Sequence, residues 1–143
     1  MMDINWIHII DDKGSPIYIY ESYAQGTKES NWALLSHLLF GLKSVALGIN
    51  NDDIKTVQMG NNKYFMVKDN RTNFIFILKT QIEVNSDEII PILNKVREIF
   101  VKKYSNYINK SYDERKTTLE SFKDVIWKML NLGKKYMDSL TID

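Results

Sequence analysis

The sequence contains no cysteine. This absence excludes disulfide cross-links, thiolate metal ligands and thiol nucleophiles, and it fits a protein of a reducing compartment such as the cytoplasm. Histidine is also scarce, since His8 and His37 stand far apart in the sequence and no cysteine is present to complete a metal shell. His8 is interpreted as a strand histidine whose hydrogen bonds are satisfied and His37 as a partly exposed polar residue. The sequence therefore predicts no metal site and no cofactor.

An excess of charge of one sign is missing as well. Nineteen basic and eighteen acidic residues leave a net charge of +1, so no global field attracts nucleic acid or anionic lipid. The segments Lys102-Lys103-Tyr104 and Lys134-Lys135-Tyr136 could contact RNA through charge and stacking. Acidic residues close to both segments weaken that field, and solvated helix faces are the simpler interpretation. We predict that the protein does not bind nucleic acid.

Long hydrophobic runs and targeting segments are absent from the sequence. A helix needs about 20 apolar residues to cross a bilayer, and the longest candidate, Trp32 to Ile49, is interrupted by polar residues and Lys43. The stretch from Met1 to Trp6 lacks the basic and apolar regions of a secretory signal. We expect a cytoplasmic protein with no cleaved leader. It would reach membranes through its partners and not by direct insertion.

Glycine-rich phosphate loops are missing too. The six glycines occur singly, and none precedes Lys-Ser or Lys-Thr in a P-loop frame. Gly26-Thr27-Lys28 could bind an anion before a helix, but a flexible loop with a capping residue is the simpler interpretation. Asp11 and Asp12 are adjacent in a strand, so they point to opposite sides and are assigned to a turn. The sequence predicts no catalytic residue and a protein that is not an enzyme.

The residues that are present form a regular succession of strand and helix patterns. β-Branched and aromatic runs predict strands at Ile4 to Asp11, Ile17 to Ser22, Ile54 to Met59, Lys63 to Lys68 and Thr72 to Lys79. Helical spacing of apolar residues predicts helices over about 28 to 49, from Ser86 to Tyr104 and from Tyr112 to Leu140. The element order is therefore ββαβββαα.

The composition of the strands predicts their places in a sheet. The first and fifth strands are apolar on both faces, which is typical of central strands, whereas the third mixes Lys55, Thr56 and Gln58 with its apolar residues. We therefore predict a five-stranded antiparallel sheet in the order 2-1-5-4-3. Strands that are apolar on both faces need helices to cover both faces of the sheet. The predicted fold is α/β (α+β), a three-layer α/β/α sandwich with the first helix on one face and the last two on the other.

We predict a single domain over residues 1–143, with a core over 4–108 and the helix over 112–140 packing on the sheet. No repeat or linker divides the chain. From Leu119 to Leu140, apolar residues are spaced alternately three and four apart. This spacing leaves one alternative open for the last helix, in which it forms a short coiled coil with a helix of a partner.

The predicted first helix carries two apolar stripes. The inner stripe consists of Leu34, Leu38, Leu42, Val45 and Ile49. The outer stripe, on the opposite side, contains Phe40 and Leu47 and is flanked by Trp32, Ser36 and Lys43. A helix that covers a sheet needs one apolar face, so the outer stripe favours burial against a partner or a second copy, with plain exposure or contact within the chain as the alternative.

We predict that this stripe and the edge strand form one protein interface. Its residues would be Trp32, Ser36, Phe40, Lys43, Leu47, Ile54, Lys55 and Val57. An edge strand offers unpaired backbone groups that a second copy could extend into a homodimer. The alternative for the strand is that Lys43 and Lys55 are gatekeepers against indiscriminate pairing.

The residues from Trp6 to Tyr18, a hydrophobic strand that enters an Asp-Asp-Lys-Gly-Ser-Pro turn and leaves it as a second strand, resemble the opening hairpin of longin-like domains. The stretch from Leu35 to Val67 matches the same family in its order of elements. The resemblance is to stand-alone longin-like proteins of the archaeal or trafficking-adaptor kind. It implies a non-enzymatic interaction or scaffold module in vesicle-trafficking or small-GTPase-regulating complexes.

The resemblance to longin-like domains implies a partner that is a small Ras-like GTPase or another longin- or roadblock-type domain. The alternative function is a small-molecule sensor or regulatory domain of profilin-like fold. Such a sensor would need an internal cavity, whereas this sequence offers bulky side chains to fill one.

Overall fold

The computed structural model describes residues 4–14, 16–21, 52–104 and 111–140, together with 41, 45, 48 and 50. The chain forms two compact units, which divide between Val84 and Asn85. The first unit contains a β-sheet and the second is helical. Most of the predicted first helix lies outside the described residues, although Gly41 and Val45 within it are helical.

Five strands form one antiparallel sheet in the first unit. They are β1 (Ile4–Ile10), β2 (Pro16–Glu21), β3 (Ile54–Met59), β4 (Asn62–Lys68) and β5 (Ile75–Gln81). Their order in the sheet is β2-β1-β5-β4-β3. This confirms the predicted α+β class and strand order, with β3 at an edge. The three-layer arrangement and the single-domain organisation stay predictions.

Burial explains why β1 and β5 occupy the centre of the sheet. All seven residues of β1 are buried, and so are the first four residues of β5. Since successive side chains of a strand point to opposite faces, both faces of these strands are removed from water. In β3, by contrast, Lys55, Thr56, Gln58 and Met59 are exposed, which suits an edge strand.

The turn between β4 and β5 is longer than the sequence indicated. The buried carboxylate of Asp69 accepts hydrogen bonds from the backbone N–H of Arg71 (3.0 Å), the backbone N–H of Thr72 (2.9 Å) and the Thr72 hydroxyl (3.0 Å). Asn73 follows with a φ of 60°. β5 therefore begins at Ile75, and the predicted start at Thr72 was wrong because these hydrogen bonds hold Thr72 in the turn.

The helical unit begins with α1 (Ser86–Ile99), which continues into a π-helical turn (Phe100–Tyr104). The Asn85 side chain caps α1 by accepting a hydrogen bond from the Asp87 N–H at 3.0 Å. The predicted start at Ser86 is confirmed, whereas the widening of the last turn into a π-helix was not predicted.

The last predicted helix is divided into α2 (Tyr112–Leu132) and α3 (Lys134–Ser139). A continuous helix to Leu140 was wrong because Gly133 adopts a φ of 78°, a conformation that glycine adopts readily. Within the unit, the ring centroid of Phe122 lies 5.3 Å from the ring centroid of Phe100 and 4.8 Å from that of Tyr104. Phe122, Ile126 and Met129 are fully buried within the chain, so these positions do not form an open coiled-coil seam.

Candidate interaction surface at the sheet edge

The described part of the predicted interface is β3. Ile54, Lys55 and Val57 lie on this strand, which pairs with β4 on one side and is the last strand of the sheet. The helix residues of the same prediction, Trp32, Ser36, Phe40, Lys43 and Leu47, lie outside the described residues. Their place in the interface stays a prediction.

The edge presented by β3 is regular. Its pairing with β4 runs from Ile54 opposite Val67 to Met59 opposite Asn62 without a register shift. Natural edge strands are commonly protected by proline, bulges or charges, and the sequence of β3, IKTVQM, contains no proline and a single charged residue, Lys55. Within the described ranges no strand pairs with the outer side of β3, which there presents a regular row of backbone donors and acceptors.

The opposite edge of the sheet is less regular. β2 begins at Pro16, which has no backbone N–H to donate. The register between β1 and β2 shifts beside Ile10, the partner of Pro16. Ile19 is 40% exposed on this strand. Of the two edges, β3 is the better template for an added strand.

The apolar core of the first unit extends to β3 on one face of the sheet. Val57 is half-buried and packs against a cluster that consists of Trp6, Ile10, Tyr64, Met66, Ile75 and Ile77. Met59 lies on the same face as Val57, since residues two apart share a face, and it remains 38% exposed. The edge thus combines a packed valine at its centre with an exposed methionine near its end.

A half-buried lysine that the sequence analysis did not single out, Lys79, lies beside this cluster. Lys79 lies between Trp6 on β1 and Tyr64 on β4 in the sheet register, and the two aromatic rings are 5.9 Å apart. Burial lowers the pKa of the Lys79 amine and raises the pKa of the Tyr64 hydroxyl. Lys79 follows Ile75 and Ile77 at the alternate positions of β5 that share one face, and this spacing was the signal that could have identified it.

Asp11 lies in the turn predicted for it, and His8 is a buried strand residue, whereas the predicted hydrogen bonding of His8 stays a prediction. His8 is 2% exposed, and its ring meets that of Trp6 edge-on, with the centroids 4.2 Å apart. The Asp11 carboxylate accepts a hydrogen bond from the Lys13 N–H at 2.9 Å, and its backbone carbonyl accepts one from the Gly14 N–H at 3.0 Å. His37 and Gly26-Thr27-Lys28 lie outside the described residues.

The two basic segments present lysines to solvent but offer little aromatic surface. Lys102 and Lys103 are exposed, whereas Tyr104 is 6% exposed and packs on Phe122. Lys134 and Lys135 are exposed beside a half-buried Tyr136. The ring of Tyr104 is thus occupied by the core and does not offer a stacking face for a base.

One residue of the predicted inner stripe differs from the expectation. Val45 was expected to be buried, but it is helical and 41% exposed. A helical wheel gives the direction of a side chain around the helix axis, and it does not show whether another element covers that turn. The inward assignment of Val45 was therefore wrong.

Within the described residues, no group of three or more His, Asp or Glu side chains is arranged to hold a metal ion. No helix in that part of the chain combines the length and the apolar character needed to span a membrane.

The chain was compared with protein families, curated proteins and solved structures, and similarity was found among the solved structures. No protein-family model and no curated protein matches the chain. The crystal structure of MglC from Myxococcus xanthus aligns with 58% of this chain and 72% of its own at 13% sequence identity and a TM-score of 0.44. A similarity of this size does not define a fold, and the assignment above depends on the order and register of the strands.

Proposed function

We propose that this chain is a non-enzymatic protein-interaction or scaffold module. The observation that carries the proposal is the regular edge of β3, which is the last strand of the sheet in the part of the chain that the structure describes and has no proline, no register shift and one charged residue. A strand from another polypeptide can bind such an edge through main-chain hydrogen bonds, with side chains at alternate positions providing specificity. The recognised element would then be a strand of a protein.

The contribution of each β3 residue follows from its position. On one face, a bound strand would cover Met59 and pack beside the half-buried Val57. Lys55, on the same face, would attract an acidic residue and repel a basic one, which gives selectivity at one position. The predicted outer stripe of the first helix, with Phe40 and Leu47, would supply the apolar half of the same interface.

The finer proposal is that the partner belongs to a vesicle-trafficking or small-GTPase-regulating complex. It is supported by the resemblance of the opening hairpin to longin-like domains. A small Ras-like GTPase or another longin- or roadblock-type domain is the partner class that this resemblance implies. The protein would act in the cytoplasm and would reach membranes through that partner.

An affinity pull-down from the source cell tests this function. Tagged wild type should recover a GTPase or a trafficking subunit, whereas the double variant Phe40→Asp/Leu47→Asp should lose it. Each substitution removes an apolar group worth about 1.5 to 3 kcal/mol when buried and inserts a charge. Lys135→Glu, at an exposed position of the other unit, is the control and should recover the same proteins.

Circular dichroism should show the same fold for all three proteins. If the wild type recovers neither class of protein, the finer proposal is wrong. If the double variant unfolds, the outer stripe belongs to the core of the domain.

A further inference from the structure

Lys79 is a half-buried lysine on β5, the middle strand of the sheet. We propose that its amine is a modification site, which small acyl thioesters acylate in preference to exposed lysines such as Lys135. The proposal goes beyond the function given above, because it concerns a covalent reaction on one face of the sheet and needs no protein partner.

The sheet register gives Lys79 apolar and aromatic neighbours. It lies opposite Trp6 on β1 and opposite Tyr64 on β4, and these two residues are 3% and 1% exposed. Residues directly opposite each other lie on the same face of the sheet. On β5 itself, Ile77 shares that face and is fully buried. Lys79 therefore has large buried residues as its neighbours on three sides.

No acid among the described residues pairs with the ammonium group of Lys79. Glu21 belongs to the same row of the sheet, but it lies two strands away, beyond Trp6, which corresponds to about 10 Å. Lys128 provides the contrast, since its amine pairs with Asp124 at 3.0 Å. Burial lowers the pKa of Lys79, whereas the hydrogen bond to Asp124 raises the pKa of Lys128.

Burial without a counter-charge makes an amine a better nucleophile at neutral pH. The neutral amine attacks a carbonyl group and the ammonium does not, so a site that disfavours the charged form offers more of the reactive form. The lone pair of the Lys79 Nζ forms a bond to the carbonyl carbon of the thioester. The C–S bond then breaks, and its electron pair leaves with the sulfur. The proton released by the nitrogen passes through water to the thiolate, so the products are an amide and a thiol.

The amide product suits this position better than the ammonium does. Acylation replaces a charge by a neutral amide and a short alkyl group, and removing a charge from water costs much more than removing an amide. The neighbouring rings of Trp6 and Tyr64 favour the apolar part of the product. Lys135 is exposed, so its acylation relieves no such cost.

Peptide mass spectrometry measures the reaction at each lysine. The full chain is incubated at neutral pH with S-acetyl-N-acetylcysteamine, a small acetyl thioester, and is digested at a series of times with a protease that does not cut at lysine. Lys79 should be acetylated at least about three times as fast as Lys135. Lys128, held in its charged form by Asp124, should react more slowly than Lys79.

The same reaction in urea is the matched control. Unfolding exposes every lysine, so the rates of Lys79 and Lys135 should become equal if the folded sheet causes the difference. A folded chain in which Lys79 reacts no faster than Lys135 would overturn the proposal, because burial would then shield the amine more than it activates it. A ratio that persists in urea would also overturn it, since the local sequence and not the sheet would be the cause.

The stability of neutral variants gives a second test that needs no acyl donor. Lys79→Gln, which resembles an acetylated lysine, should unfold at a higher temperature than the wild type, whereas Lys79→Arg should not. Lys135→Gln is the control and should unfold at the wild-type temperature. A lower unfolding temperature for Lys79→Gln than for Lys79→Arg would mean that the charge is favourable at this position, which contradicts the proposal.

Discussion

Val57 on the edge strand lies directly opposite Tyr64 on β4, and Tyr64 is 1% exposed. The half-buried valine therefore connects the open edge of the sheet to the apolar cluster beneath it. An edge supported in this way holds its backbone in strand geometry before a partner arrives. Binding then requires less ordering of the strand, which favours affinity.

The Asp69 turn provides a test of the fold itself. Asp69→Ala removes a buried carboxylate that accepts three hydrogen bonds from Arg71 and Thr72. Bonds to a charged group contribute about 1.5 to 3 kcal/mol each, and losing this acceptor should lower the free energy of unfolding by about 2 to 4 kcal/mol. Urea unfolding measures the loss. Asp53→Ala, at an exposed position, is the control and should change stability by less than about 0.5 kcal/mol.

Two glycines should respond in opposite directions to the same substitution. Gly133→Ala forces a side chain into a backbone with a φ of 78°, which should cost about 1 to 3 kcal/mol of unfolding free energy. Gly41 is helical and a Cβ there meets nothing within 4 Å, so Gly41→Ala should stabilise by about 0.5 to 1 kcal/mol. Thermal unfolding of both variants gives the comparison. Equal effects of the two substitutions would contradict the assigned end of α2 at Gly133.

The aromatic cluster of the helical unit should be its main source of stability. Phe122→Ala removes a fully buried ring that contacts Phe100 and Tyr104, and such truncations cost about 3 to 5 kcal/mol. Trp127 on the same helix is 51% exposed, so Trp127→Ala should cost much less. Chemical unfolding followed by far-ultraviolet circular dichroism distinguishes the two. A similar loss for both variants would mean that Trp127 is covered in solution.

Lys79 and Tyr64 should affect the alkaline stability in opposite directions. The pKa of Lys79 is lowered by burial from 10.5, so the unfolded chain holds its proton more tightly and this group makes stability rise as pH approaches 10.5 from below. The pKa of Tyr64 is raised by burial from 10.0. The relative stabilisation from Tyr64 is therefore complete below that value and is lost as pH rises through the folded pKa.

Lys79→Met should remove the rise in the free energy of unfolding below pH 10.5. Tyr64→Phe should remove the fall in the free energy of unfolding above pH 10.0. Unfolding by urea at a series of alkaline pH values, with each variant compared with the wild type, measures both slopes. Unchanged pH profiles in both variants would show that these groups titrate alike in the folded and unfolded chains.

The strand order could be predicted because a central strand is apolar on both faces and an edge strand is not. The first four residues of β5 are apolar, whereas β3 contains Lys55, Thr56 and Gln58. The start of β5 could not be predicted. Thr72 is β-branched, as strand residues often are, and its hydrogen bonds to Asp69 form only once the turn has folded. The division at Gly133 was hidden by apolar spacing that continues across it. Lys79 was hidden because a lysine in a strand is ordinarily assigned to a solvated face.

Hydrogen exchange across residues 54–59, in the complex recovered by the pull-down and in the isolated chain, tests the central claim most directly. Strand addition at β3 hydrogen-bonds the outward-facing backbone amides of the strand, so some amides in this range should become strongly protected in the complex. The amides of β2, at the other edge, should exchange at the same rate in both samples. Unchanged exchange across 54–59 in a complex that does form would contradict the assignment of β3 as the binding edge.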